Sequence, residues 1–355
     1  GIPRLPACRP RGRLTDNVKV TLTMAFRPSA RLLAGSLLVA LCMPVFAQWQ
    51  QHQWDIMGTR ASVTLWSPTP AAPLFRTLEN EMARLNQLLS PWVEDSELAQ
   101  LNRLAASKPQ TISAEFYRLL ERSAHYYQLT DGAFDITFAS AGHLYDYRKG
   151  KAPDAQALKR ATRHIGASRI ALLDNHQVRF SDPGTRIDLG GIAKGYAIDR
   201  GIALLKAAGV EHAWLSLGGD SYVLGDHRGR PWEVGIQHPR DRSGIAMRLP
   251  ISDVAMSTSG DYQRYFIQDG ERIHHIISPK TGKSVGELVS VTVLCDNSVD
   301  ADALSTSVFI LGKEKGLALI DRLPNTSAIL IDQHGKVSYS NALAAPATAT
   351  PPSSD

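Results

Sequence analysis

The chain has little cysteine and no long apolar run, and it has no excess of either charge once its first 47 residues are set aside. Each shortage removes a class of protein. Of three cysteines in 355 residues, Cys8 and Cys42 fall in that first stretch, so Cys295 alone remains and no internal disulfide can form. Basic residues number 39 and acidic residues 34. Arg4, Arg9, Arg11, Arg13, Lys19, Arg27 and Arg31 all precede residue 48, against Asp16 alone, so the remainder is close to neutral and predicts no nucleic-acid partner. No His/Cys group has zinc spacing, no period repeats, and no linker interrupts residues 48–341.

The leader organises what is left. Residues 1–23, Arg-rich and broken by Pro before Met24, read as an upstream or artefactual segment. From Met24 the pattern is that of a secretory signal over 24–47: Arg27 and Arg31, the apolar run Leu32 to Met43, then Val45-Phe46-Ala47 as a small-residue cleavage site. The expectation is a periplasmic protein starting near Gln48. The apolar run is too short to span a bilayer, and Leu41 is bulky where a small residue precedes a lipidated cysteine, so at most peripheral membrane association is expected. The Ala, Pro, Thr and Ser composition of 342–355 predicts a disordered tail.

Between these ends, periodicity predicts one α+β domain over 48–341, with mixed, largely antiparallel sheets flanked by helices. Residues 48–66 alternate as strands around a turn at Met57-Gly58-Thr59. Helices are predicted at 71–89, from Ser96, at 113–129 and at 192–208, a hairpin at 169–181, and strands at 213–217, 221–225, 232–236, 246–251, 262–268, 272–277 and 289–295. Helices at 301–311 and 314–323 and a hairpin at 327–340 complete the pattern.

Four places can carry chemistry, and each has an ordinary structural alternative. Asp188-Leu189-Gly190-Gly191 before a helix suits an anionic ligand at the helix N-terminus, and equally a tight strand-to-helix turn; Lys194 is not placed as in a Walker loop. Asp302 and Thr306, one turn apart on a helix start, suit Mg²⁺ through hard oxygens, while N-capping by Asp300 or Asp302 is the alternative. Ser257 to Tyr262 reads as a polar turn before His274 and His275, of which at most one can face a given site in a strand. Trp92 and Phe134, the latter beside Asp135, offer stacking surface for a planar ring, or core packing.

Taken in order, Met57-Gly58-Thr59, Ser96-Glu97-Leu98 with Leu101-Asn102, Gly132-Ala133-Phe134-Asp135, Asp188 to Ala197, Leu217-Gly218-Gly219-Asp220, Ser257 to Tyr262, His275-Ile276-Ile277 and Asp302 to Thr306 resemble the ApbE family of FAD:protein FMN transferases over nearly all of 54–335. The resemblance implies an ApbE-like fold, FAD as substrate and a Mg²⁺ cofactor at its pyrophosphate. It implies FAD contacts from Met57, Trp92, Ala133, Phe134, Asp135, Asp188, Lys194 and Ile276, and metal ligation by the Gly191 carbonyl, Asp302 and Thr306. His275 resembles the histidine the family needs for transfer, and an acceptor flavoprotein subunit of an electron-transfer complex is the implied partner; the attacking hydroxyl needs a base, for which His275 is the candidate and Asp261 the reserve. A Mg²⁺-dependent FAD pyrophosphatase and a non-catalytic flavin donor are the rival readings. Ser278 stands where the family commonly has Asp; a Ser that only braces the turn before Pro279 costs little, whereas loss of an Asp holding the histidine or metal weakens activity.

Overall fold

The computed structural model describes residues 47–241 and 244–343. The upstream segment, the secretory signal save Ala47, and nearly all of the tail therefore lie outside the described residues.

Strands β1 (Gln48–Ile56) and β2 (Thr59–Ser67) pair with Ile56 opposite Thr59, so Met57 and Gly58 alone make the turn. Both have positive φ, 51° and 70°, the conformation whose twist matches a two-residue hairpin. Next comes α1 (Ala72–Leu89), which turns Leu78, Met82, Leu85, Leu88 and Leu89 inward. Helix α2 (Glu97–Leu104) starts at Ser96, whose hydroxyl accepts from the Ala99 N–H at 2.9 Å. A two-residue strand β3 (Gln110–Thr111) leads to α3 (Ala114–Leu129), capped in the same way by Ser113.

The pattern predicts no element between 130 and 168, yet α4 (Ala139–Gly142) and α5 (Ala155–Thr162) lie there. Only Leu158 and Ala161 are buried on α5, too few to show a period; Asp154, which accepts from the Ala157 N–H at 2.7 Å, was the legible signal. The hairpin β4 (Ile170–Leu173) and β5 (Gln177–Phe180) follows, then α6 (Ala193–Ala207), β6 (Ala213–Leu217), β7 (Asp220–Leu224), and the hairpin β8 (Trp232–Gln237) and β9 (Ile245–Ile251).

Residues 257–260, expected in a polar turn, belong instead to β10 (Val254–Gly260), a buried strand between two neighbours. Its serines face partners rather than water, which is why a polar stretch can lie inside the sheet. Strands β11 (Tyr265–Gln268) and β12 (Glu271–His274) are shorter than expected, so His275 lies just beyond the ladder. The chain closes with β13 (Leu288–Cys295), α7 (Ser298–Leu311), α8 (Lys313–Ile320), β14 (Ser327–Asp332) and β15 (Val337–Tyr339).

One eight-stranded sheet runs in the order β1-β2-β6-β7-β10-β13-β14-β15. Every ladder among the described residues is antiparallel, which sharpens the expected mixture. The larger core joins the sheet to α1, α2, α3, α6 and α7. A smaller one on Val223, Met256, Leu294 and Ile329 lies under Trp232, Val234 and Ile236 of the β8–β9 hairpin. No described helix is long and apolar enough to cross a membrane.

Charged side chains tie three helices together outside the larger core. Glu81 of α1 accepts from Arg84 and from Arg200 of α6, each at 2.9 Å, while Arg84 also grips Glu115 of α3 at 2.7 Å. The Arg84 hydrogen bond holds the Glu81 carboxyl down at about 2, below its ordinary 4.5. A depressed acid stabilises the fold above its unfolded value and loses that contribution as pH falls through the folded one. Glu81→Gln is therefore expected to cost about 1 kcal/mol at pH 7. In urea melts the difference from wild type should close between the two pKa values, from about 4.5 down to about 2.

Candidate functional site

Two helices of very different sequence build the site where α6 and α7 cross. A Cβ on Gly195 would stand 2.2 Å from the Ser298 carbonyl oxygen and 2.9 Å from the Asp302 Cβ, so only glycine allows this approach. Each helix supplies a carboxylate to the other's N-terminus. Asp199 of α6 accepts from the Ser298 and Val299 N–H groups at 2.8 and 3.0 Å, and Asp302 of α7 accepts from the Gly195 N–H at 3.0 Å. The cap of α7 is Asn297, not Asp300 or Asp302; Asp300 pairs with Arg122 and Tyr126 instead.

Asp302 is thereby left inside the site, 2 % exposed. Lys194 lies between it and Asp220, with Nζ at 2.5 Å from Asp220 and 3.4 Å from both Asp302 oxygens. Burial and the Asp220 charge push Asp302 well above the ordinary carboxylate range. Burial opposes the Lys194 charge, but the two carboxylates outweigh it and raise its pKa. From Asp220 a chain of hydroxyls continues: Ser257 at 2.5 Å, Ser305 at 2.9 Å from Ser257, Ser259 at 2.9 Å from Ser305, and Thr306 at 3.4 Å from Ser259.

The glycine loop before α6 meets the far end of that chain. A Cβ on Gly191 would lie 3.4 Å from the Thr306 hydroxyl and 3.2 Å from the Phe134 ring, so these three residues are neighbours. Asp188, just upstream, donates its N–H to the Ile136 carbonyl at 3.0 Å and turns its carboxylate onto the Gly190 N–H at 2.6 Å. Burial raises the Asp188 pKa, against the nearby charges of Arg264 and Lys194.

The two histidines divide. His274, 2 % exposed, donates from Nε2 to the Val285 carbonyl at 2.6 Å and packs edge-on against Phe309. His275 donates its main-chain N–H to the Arg264 carbonyl at 3.2 Å, with Nδ1 at 3.4 Å from the same oxygen. A carbonyl can only accept, so Nδ1 carries the hydrogen and Nε2 keeps its lone pair. Burial, then the Arg264 charge, pushes His275 down to about 3. Arg264 also donates to the Gly58 carbonyl at 3.4 Å, tying the Met57 turn to the histidine.

Most of the expected residues thus gather in three linked groups: Lys194 with Asp302; Gly191 with Thr306 and Phe134, near Asp188; and His275 with the Met57 turn. Ala133 and Ile276 are buried beside them, 5 % exposed each. Phe134 itself, Asp135, Asp261 and Trp92 stand differently. The Phe134 ring is 4 % exposed and packs on Tyr126, so its ring is core. Asp135 caps the turn at 136–138, accepting from Thr137 N at 2.8 Å and Thr137 Oγ1 at 2.5 Å, and burial raises its pKa. Asp261 has both oxygens on Arg240, at 2.7 and 2.8 Å, so the carboxylate expected as reserve base is held in a two-point ion pair. Trp92, by contrast, is 80 % exposed, so its indole is not core.

Asp220, Ser257, Ser259 and Arg264 carry no expected role in the sequence, although the first three lie inside motif blocks. The only signal for Asp220 was an acid directly after two glycines at a strand start.

Fold and site together describe an enzyme-like centre of hard oxygens, a held cation and a neutral imidazole at one end of an antiparallel sheet. Comparison with known proteins specifies the family. Residues 57–330 match the model of the ApbE family. An FAD:protein FMN transferase of Treponema pallidum is 34 % identical over 78 % of this chain and 82 % of its own length. One from Vibrio cholerae is 31 % identical over 81 % and 89 %. The ApbE protein of Thermotoga maritima superposes with a TM-score of 0.77 at 29 % identity, covering 83 % of this chain and 98 % of that one. The flavin transferase ApbE of Vibrio cholerae gives 0.76 at 26 % identity over 83 % and 98 %. The chain belongs to the ApbE family, and the α+β, ApbE-like fold expected of it is the fold it has.

Gly195→Ala tests the crossing on which the site is built. The added methyl meets a backbone oxygen that cannot swing aside, so a loss of roughly 2–3 kcal/mol is expected. Urea melts of the variant measure it; a midpoint equal to wild type would mean the helices are not held this closely.

Proposed function

We propose that this chain is an FAD:protein FMN transferase, which uses Mg²⁺ to move the FMN half of FAD onto a Thr or Ser hydroxyl of an acceptor flavoprotein and releases AMP. The observation that carries the reading is His275, held neutral with a free Nε2 beside Arg264, at the same end of the sheet as the buried Asp302 and Thr306. That pairing supplies a base and a place for phosphate charge in one site.

The residues fit the metal. Asp302 Oδ1 has no donor nearer than Lys194 at 3.4 Å, and the Thr306 hydroxyl and Gly191 loop adjoin, so only hard oxygens are offered. No group of three or more His, Cys, Asp or Glu side chains suited to a metal occurs among the described residues. Mg²⁺ is satisfied with few protein ligands because it keeps waters and takes substrate phosphate oxygens. Asp302, Thr306 and the Gly191 carbonyl would hold it, and bound there it would neutralise charge on the FAD pyrophosphate.

The chain's own residues do the rest. Lys194 and Arg264 add positive charge for the pyrophosphate, and the exposed Trp92 indole offers a face for the isoalloxazine. The acceptor oxygen attacks the FMN phosphorus and its proton goes to His275 Nε2. The bond from that phosphorus to the AMP oxygen breaks, leaving FMN ester-linked to the acceptor. Ser278 supports an intact site: its Oγ accepts from the Lys280 N–H at 3.3 Å and its N–H donates to Lys283 at 2.9 Å, the turn-bracing role. The reading includes export to the periplasm, on the secretory pattern at 24–47, and an acceptor that is a subunit of an electron-transfer complex.

The test combines the protein, FAD, Mg²⁺ and a flavin-acceptor domain bearing an exposed Thr. Flavin fluorescence that stays with the acceptor on a denaturing gel, with AMP released and both abolished by EDTA, is the expected result. AMP and free FMN without labelling would make it a pyrophosphatase, and FAD binding with neither product a flavin carrier. Asp302→Ala should keep the fold and lose at least a hundredfold of the metal-dependent rate, roughly 3 kcal/mol of transition-state stabilisation; equal turnover at limiting Mg²⁺ would refute the ligand assignment.

A second prediction concerns the base. His275→Asn should abolish transfer while FAD still binds. In the free protein the His275 ring protons should show no titration on NMR between pH 8 and pH 5, because its pKa lies far below the ordinary 6.5. A midpoint near that ordinary value would mean that burial and the Arg264 charge do not act on the ring as described.

A further inference from the structure

Strand β1 is one edge of the eight-stranded sheet. Its register fixes which of its peptide groups are used. Ile56 and Thr59 flank a two-residue turn and are direct partners, so they form a hydrogen-bonded pair, and such pairs recur at every second residue of an antiparallel ladder. The N–H and C=O groups of Gln48, Gln50, His52, Trp54 and Ile56 therefore face β2. Those of Trp49, Gln51, Gln53 and Asp55 face away, and among the described residues nothing bonds to them.

Free edges in native sheets usually carry Lys, Pro or a bulge that discourages pairing. β1 has neither residue type, its nine-residue ladder with β2 runs without a register shift, and its one formal charge is Asp55 near the end. Gln51, Gln53 and Asp55 are all exposed. The edge also leads somewhere. It ends at the Met57–Gly58 turn, whose Gly58 carbonyl takes the Arg264 side chain at 3.4 Å, and the Arg264 carbonyl in turn holds His275.

We propose that the acceptor protein docks by adding an extended segment to the outer edge of β1, which delivers the hydroxyl to be modified just beyond the end of that added strand, at His275. The proposal rests on the FMN-transfer reading. Main-chain pairing gives affinity without consuming the acceptor's side chains, so the hydroxyl stays free to react. Four outward residues, ending beside the Met57–Gly58 turn that Arg264 links to His275, give the segment both a ladder and a direction toward the site.

The test uses the full chain with Gln51→Pro and Gln53→Pro, singly and together. Proline is tolerated on an edge strand where the N–H faces outward, so the ladder to β2 should survive while two donors are lost. The expected result for the double variant is an unchanged melting midpoint and FAD affinity, kcat near wild type, and a KM for the acceptor domain raised roughly tenfold, the worth of one to two hydrogen bonds. Gln51→Ala with Gln53→Ala, which keeps both donors, should leave KM unchanged. Amide hydrogen exchange on the wild type decides the matter without any variant: Trp49, Gln51, Gln53 and Asp55 should gain protection when the acceptor domain is added. An unchanged KM in a folded proline variant, or no gain in protection, overturns the proposal. So does a wild-type dimer that the prolines split into monomers, since the edge would then belong to a second copy. A wild type that transfers no FMN yet shows the protection would sink the functional reading and keep the docking edge.

Discussion

The crossing of α6 and α7 at Gly195 is the constraint on which the rest of the site depends. Helix N-termini leave main-chain donors that must find partners when buried. Here each helix caps the other, Asp199 serving α7 and Asp302 serving α6. Neither helix could end at this depth without its neighbour, so the two termini and the carboxylates that hold them are positioned together. Asp302 is thus a structural cap through one oxygen and a candidate ligand through the other.

Two carboxylates and one ammonium at this depth leave an uncompensated negative charge. Removing ions from water is expensive unless other charges and hydrogen bonds replace the solvent. Burial accordingly pushes Asp302 and Asp199 upward. Protonation of Asp302 relieves part of that excess, and on the FMN-transfer reading proposed above a divalent cation would neutralise it. The hydroxyl chain from Ser257 to Thr306 then has a physical reason: it satisfies Asp220 on the side away from Lys194 and continues through Ser305 and Ser259 to Thr306.

Local pattern made much of the fold legible, and little of the site's internal logic. Helices α1, α3 and α6 were readable because apolar residues recur at helical spacing over 15 residues or more. β10 was not, because its buried serines are satisfied by Asp220 on another strand and by Ser305 and Thr306 on a distant helix, partners no local window contains. The start of α7 was placed at 301 and not at 298 because its cap, Asn297, precedes two residues buried by α6. The site residues came mostly from motif order. Their chemistry needed the structure: which histidine is free, that Arg240 claims Asp261, and that Asp135 is a cap are all long-range facts.

The division of His274 and His275 shows why position in the ladder matters more than residue type. Inside β12 a histidine is held by the strand and by Val285, so its ring is a fixed core element. One residue later the ladder has ended, and His275 hangs by its main chain from the Arg264 carbonyl. That carbonyl fixes Nδ1 as the donor, and the turn at 278–283 fixes where the strand's continuation can go. Ser278 keeps that turn through its hydroxyl and N–H, the two groups the geometry uses. Both of those bonds brace the turn that follows the histidine.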